Sequence, residues 1–249
     1  KCREKSLKDL GVGTEKIEEE LKEILPKARV LRMDVDTTSK KGAHKKIVDA
    51  FSKGEADILL GTQMVAKGLD FPNVTLVGVI NADTSLMLPD FRSSEKTFDL
   101  LSQVAGRAGR SDKSGKVIFQ TFNEENYAIR YAKENDYKSF YKEEMKVRKL
   151  MKYPPYYYLV SLNISSKDSK LALVEAKKCE KVCHKYLDKT IILGPSPASI
   201  FKKQNIYHYQ LILKYQYQDN IHEVLEKLVD YYATINKVNL DVDFNPIHL

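Results

Sequence analysis

The chain has 249 residues, 43% hydrophobic and 30% charged, which suffices for one large domain or two modest ones with packed cores and excludes disorder, collagen and a coiled coil. No stretch approaches the roughly 18 uncharged apolar residues of a membrane helix, no secretory leader opens it, and three cysteines are too few for a disulfide scaffold, which points to a reducing compartment. The net charge is +7, but residues 154–249 hold 12 Lys/Arg against 10 Asp/Glu and the remainder 29 against 24, so the excess is spread too thinly to argue for a polyanionic partner alone.

The first half alternates helix and strand signals. Thr14–Leu25 carries Ile17, Leu21, Ile24 and Leu25 at helical spacing. Thr14 reads as its N-cap, and Pro26 stops it. An apolar run over Ala28–Met33 precedes Asp34 and Asp36, and a second helix covers Ala43–Ser52, closed by Lys53-Gly54. Asp57–Leu60 and Thr75–Ile80 are uninterrupted apolar runs, as expected of parallel strands buried on both faces. A helix over Glu95–Ala105 and a strand over Lys116–Phe122 complete an open α/β sheet.

Residues 126–152 contain no Gly or Pro and read as one helix with eight Lys/Arg against four acids. Pro154-Pro155 breaks the chain, and the domain boundary is placed there, giving units of 1–153 and 154–249. Beyond it come a strand over Tyr156–Ser165, a helix over Asp168–Leu187 with Asp168 as cap, and a strand from Thr190 running past Gly194-Pro195. Tyr207–Tyr217 then reads as a strand, Ile221–Ile235 as a helix and Asn239–Phe244 as a strand. The order βαββαβ is that of a ferredoxin-like α+β unit.

Two segments carry chemistry. Gln103-Val-Ala-Gly-Arg107-Ala-Gly-Arg110 sets two arginines three apart at a helix end. Guanidinium is permanently charged and presents planar donors to phosphate oxygens, so Gln103, Arg107 and Arg110 can read a triphosphate; the alternative is a solvated basic helix end. In Gly61-Thr62-Gln63-Met-Val-Ala-Lys67-Gly68-Leu-Asp70, a strand runs straight into a turn. Ligands of open α/β sheets sit beyond strand carboxyl ends, where backbone amides and the Thr62 hydroxyl can hold a phosphate, and Asp70 can bond a ribose or an arginine; the alternative is an ordinary turn.

Together these segments resemble motifs V and VI of superfamily 2 helicases. With Gly11-Val-Gly-Thr-Glu15, Asn81-Ala-Asp83 and Pro89-Asp-Phe-Arg92, the chain is similar to the PriA-type replication-restart helicases. The resemblance implies a second RecA-like lobe followed by the smaller C-terminal domain of an ATP-dependent 3′-to-5′ DNA helicase that acts at stalled forks and in primosome assembly. It implies Arg107 and Arg110 as arginine fingers toward ATP and Mg2+ held mainly by another lobe, with Gln103 beside them. Gly68 and Asp70 would lie on the nucleotide side, and Thr62, Gln63 and Lys67 on the DNA side. It implies as partners single-stranded and forked DNA, single-stranded-DNA-binding protein and helicase-loading proteins, with no membrane, in the bacterial cytoplasm at the nucleoid. Cys2 would be the last ligand of a Zn2+-binding segment, whose other thiolates this chain does not carry. RecG-like or RecQ-like translocases and a non-catalytic DNA-binding scaffold are the alternatives. The chain opens at Lys1 and reads as a piece of something longer; no Gly-x-x-x-x-Gly-Lys-Ser/Thr occurs in it, so it is expected to hydrolyse no ATP alone.

The C-terminal half mixes Phe201, Lys202, Lys203, Tyr207, Tyr209, Lys214, Tyr215 and Tyr217 with no acid between 201 and 217. Such a surface suits stacked bases and phosphates, with Lys202 and Lys203 as DNA contacts. The alternative is a tyrosine face packed on two helices. Cys179 and Cys183 sit four apart with His184 and are expected to be buried small hydrophobes rather than metal ligands.

Overall fold

The structure, a computed structural model, describes residues 13–66, 69, 71–106 and 115–246. It divides into two compact units. One runs to Leu88 and takes up again over Arg92–Phe140; the other comprises Pro89–Phe91 and the chain from Tyr141 onward.

In the first unit, α1 (Thr14–Ile24) leads to β1 (Val30–Met33), a short α2 (Val35–Thr38), α3 (Ala43–Ser52) and β2 (Ile58–Gly61). There follow a short α4 (Gln63–Ala66), β3 (Leu76–Val79), α5 (Ser93–Ala105), β4 (Lys116–Phe119), α6 (Tyr127–Glu134) and the start of α7 (Tyr137–Leu150). β1 pairs with β2 and β3 with β4, each in parallel. Among the described residues these are two small parallel sheets, as expected of an α/β lobe with parallel strands. Not all of the strands are buried on both faces: Leu76 and Ile118 are exposed, and β3 and β4 alternate, because only one face of that ribbon is covered. The buried cluster lies instead where Phe98 and Leu101 of α5 meet Ala128, Ile129 and Ala132 of α6 and Phe140 of α7. Phe98 stacks on Phe140 at 4.1 Å between ring centres.

Two local expectations are corrected. Thr14 does not cap α1. Gly13 holds that position, and the Thr14 hydroxyl donates to Asp34 Oδ2 at 2.6 Å. The helix expected over residues 126–152 is two helices. Asn135 turns left-handed at φ 54°, and Asp136 Oδ1 accepts the Ser139 amide at 3.0 Å, ending one helix and starting the next.

The second unit is the βαββαβ fold: β5 (Tyr158–Ser166), α8 (Ser169–Tyr186), β6 (Ile191–Lys203), β7 (Ile206–Tyr215), α9 (Ile221–Ala233) and β8 (Asn239–Phe244). The strands lie in the order β6-β7-β5-β8, every neighbour antiparallel. Asp168 Oδ1 caps α8, accepting the Lys170 amide at 2.8 Å. Gly194 is required where it stands: its φ is +99°, and a side chain would meet the Gln210 carbonyl oxygen. Val160, Leu162, Ile164, Leu211 and Leu213 form the helix-facing side of the sheet, against Ala172, Ala176, Cys179 and Cys183 of α8 and Leu225 and Leu228 of α9. No described helix is long and apolar enough to cross a membrane.

Candidate functional site

The register of β1 and β2 pairs Met33 with Gly61, so Asp34 and Thr62 leave the ribbon side by side at its carboxyl edge. Gly61 permits this, since a side chain there would run into the Met33 carbonyl oxygen and the Val65 methyl group. Thr62 and Gln63 are exposed, and the Thr62 carbonyl accepts the Val65 amide at 3.0 Å, so the turn expected here continues into the single turn of α4. Lys67, Gly68 and Asp70 lie outside the described residues.

Asp34, to which the sequence reading gave no role, organises this edge. Its carboxylate accepts the Thr14 hydroxyl at 2.6 Å and the Thr37 amide at 2.9 Å, and Arg32 Nε stands 2.8 Å away. The Thr14 hydrogen bond chiefly holds its carboxyl below the usual range, with the Thr37 bonds and the Arg32 charge adding to it against the opposing effect of burial. The legible signal was an Asp directly after a strand with Thr three residues on, a reciprocal capping pattern.

The second segment ends α5. Leu101 and Val104 turn into the core, which leaves Gln103 exposed, and the Gly106 amide closes the helix on Ser102 O at 3.2 Å. Arg107 and Arg110 lie outside the described residues. α4 lies against α5, so the helices that bear the two segments are neighbours. Asp83 clamps the loop after β3: its carboxylate accepts the Thr121 hydroxyl at 2.9 Å and the Phe122 amide at 2.8 Å.

In the second unit Lys202 and Lys203 are exposed beside the left-handed Gln204–Asn205 turn, and Lys202 Nζ lies 5.0 Å from the centre of the Tyr207 ring. Tyr209 turns inward, 9% exposed, against Phe201, so the tyrosine-rich strand contributes largely to packing. Lys203 also borders an open cleft of about 380 Å³ shared with Asn163, His208, Asp241 and Asp243. The two carboxylates make that side of the sheet poorly suited to a phosphate. Cys179 and Cys183 are fully buried in the core, and contact with Cys183 together with burial pushes the Cys179 thiol up. Cys2 lies outside the described residues.

Phe91, one of the three residues that join this unit from between β3 and α5, stacks on Tyr153 at 4.9 Å. The Arg148 guanidinium lies 5.3 Å from the Phe91 ring and Lys214 Nζ 3.4 Å from the Tyr153 ring, which makes a row of cation, ring, ring and cation. Arg148 is fixed by Glu144 at 2.7 Å, and Lys214 donates to the Met151 carbonyl at 3.1 Å.

The family model for the helicase conserved C-terminal domain matches residues 8–112, and that for the primosomal protein N C-terminal domain matches residues 149–247. The replication restart protein PriA of Bacillus subtilis (strain 168) is 49% identical over 253 residues, covering 98% of this chain and 31% of that protein. The chain belongs to the PriA family. Other PriA relatives agree: that of Synechocystis sp. is 39% identical over 100% of the chain and 30% of its own length, and that of Borreliella burgdorferi 37% identical over 100% and 37%. The chain spans about a third of the length of these PriA proteins. The two matched domains correspond in order to the two folds described, an α/β unit with parallel strands and an antiparallel α+β unit.

Proposed function

We propose that this chain is the second motor lobe, with trailing helices, over residues 1–153 and the C-terminal domain over 154–249 of an ATP-dependent 3′-to-5′ DNA helicase that acts at stalled replication forks and in replication restart. The observation that supports this most is the packing of α4 against α5, which sets the helices bearing the Gly61–Asp70 and Gln103–Arg110 segments next to each other. In this reading Thr62, Gln63 and Lys67 meet the DNA backbone, while Gly68, Asp70, Gln103, Arg107 and Arg110 face a nucleotide whose other contacts come from another lobe.

The exposed Thr62, at the carboxyl edge of β2, fits a phosphate-bearing ligand. ATP with Mg2+ supplies the free energy of translocation when bound; the residues of this chain orient it and neutralise charge on its phosphates. Cys2 is one thiolate, and a structural zinc takes about four donors, so a Zn2+ site would need ligands from elsewhere in the protein. The partners are single-stranded and forked DNA, with single-stranded-DNA-binding protein and helicase-loading proteins as assembly partners, in the bacterial cytoplasm.

The test is substitution in the full-length protein that carries this chain. Arg107→Ala or Arg110→Ala should lower DNA-stimulated ATP turnover by about 10³-fold or more, as removal of an arginine finger does, with DNA affinity largely kept. Unchanged turnover would overturn the motor reading and favour a DNA-binding scaffold. DNA-stimulated ATP turnover by the 249-residue chain alone would overturn the shared-nucleotide arrangement.

A further inference from the structure

The last turn of α7 and the turn after it form a surface of lysines, tyrosines and exposed apolar side chains. The acids of that helix are already engaged: Glu143 meets Lys146 at 3.4 Å and Glu144 meets Arg148 at 2.7 Å. Lys149 and Lys152 meet no carboxylate among the described residues. Each lies instead over a tyrosine, Lys149 Nζ at 6.0 Å from the Tyr156 ring centre and Lys152 Nζ at 6.0 Å from that of Tyr157. Between the lysines stand Leu150 and Met151, 79% and 54% exposed. A quadrupole satisfies an ammonium only in part, by about 0.5–1 kcal/mol at an exposed site, so both charges remain available to a phosphate.

We propose that Lys149, Lys152, Tyr156 and Tyr157 form a binding strip for single-stranded nucleic acid. This rests on the reading of the C-terminal domain as DNA-binding, and it moves the contact away from the Lys202–Lys203 turn. Each of two cations lies beside a ring, and the phosphates and bases of a single strand offer the complement of each. An anionic lipid surface would engage the lysines together with the exposed Leu150 and Met151, and vesicle binding tells it from a nucleic acid. The cleft at Asp241 and Asp243 repels phosphate, whereas this strip carries no uncompensated acid.

The chain contains no tryptophan, so Tyr157→Trp gives a reporter without background. The 249-residue chain is titrated with an oligo-dT across a salt series. Each phosphate contact on a single strand contributes about 0.7 to the slope of log K against log salt, so Lys149→Gln/Lys152→Gln should reduce the slope by about 1.4. The charge-matched Lys170→Gln/Lys177→Gln, exposed on α8, should leave it unchanged, and oligo-dT should quench the Tyr157→Trp emission. Equal losses in both lysine pairs, or an unquenched reporter at saturation, would overturn the strip. If Lys202→Gln/Lys203→Gln alone lowers the slope, the strip fails and the DNA-binding reading of the domain stands. If the unsubstituted chain has no affinity for the oligomer, both fail. Loss of binding to phosphatidylserine vesicles in Lys149→Gln/Lys152→Gln, with DNA binding intact, also overturns the proposal.

Discussion

In the second unit β5 has a partner on each side, and Leu159, Val160, Leu162 and Ile164 are sealed from solvent. In the first unit no strand is flanked on both sides among the described residues, and of the residues of its four strands only Met33 is buried. The same chain thus uses strands in two ways. In the second unit the sheet is the core. In the first, the ribbons hold loops at their carboxyl edges, while the α5, α6 and α7 cluster supplies the buried aromatic contacts. Stability should therefore respond to strand substitutions in one unit and to helix substitutions in the other.

The strongest test of that contrast is Leu162→Ala against Leu76→Ala. The first removes a fully buried side chain from the centre of β5 and should cost about 2–5 kcal/mol. The second, at an exposed position of β3, should stay within about 0.5 kcal/mol. Urea unfolding followed by a probe in each unit measures both, and similar costs would erase the distinction. Next in size is the stacked row. A double-mutant cycle on Phe91→Ala and Tyr153→Ala should give a coupling of about 0.5–1.5 kcal/mol, the range for aromatic pairs. Zero coupling would mean that the Pro89–Phe91 segment is not anchored there.

Lys214 sharpens the comparison through pH. Burial, and then the charge of Lys152, hold its amine below the ordinary lysine value. The folded state therefore gives up this proton before the unfolded state does. Its contribution to stability rises as pH climbs through the lowered folded value toward the unfolded value of about 10.4. Lys214→Met should abolish that rise, read as the difference between the two proteins in the urea midpoints of a pH series. A difference that does not vary with pH would show that the amine is not held in this way. The smallest effect belongs to the exposed Arg29–Asp57 pair of the first unit. The hydrogen bonds from the Arg29 side chain and backbone depress the Asp57 carboxyl to about 2. What the pair contributes is present above the unfolded carboxylate value and lost as pH falls through the folded one. Arg29→Ala should return the NMR titration midpoint of Asp57 toward about 3.9.

The sequence made most of the second unit legible, because Tyr207–Tyr217 alternates and its first helix carries the cap Asp168. Tyr209 showed the limit: composition offered both a stacking surface and a packed strand, and only the register with Leu211 and Leu213 on the same face decides for packing. In the first unit the helices and the β2 turn were visible, but continuous apolar runs such as Thr75–Ile80 do not say which faces are covered. Asn135 was missed because one left-handed residue inside a polar helical stretch leaves no periodic trace. Asp34 left a capping signal in Thr37 three residues on, but its place beside Thr62 follows only from the register that brings Gly61 beside Met33. The candidate site was legible as residue types alone: of the residues proposed to face a nucleotide Gln103, and of those proposed to meet DNA in the Gly61–Asp70 segment Thr62 and Gln63, lie among the described residues.

Met151 gives its carbonyl to the Lys214 ammonium, and Tyr153 gives that charge the face of its ring. Anyone isolating the C-terminal sheet for crystals or for labelling should keep these two residues at the leading end. A polypeptide beginning at Pro154 would leave an orphan cation inside the sheet it was meant to present.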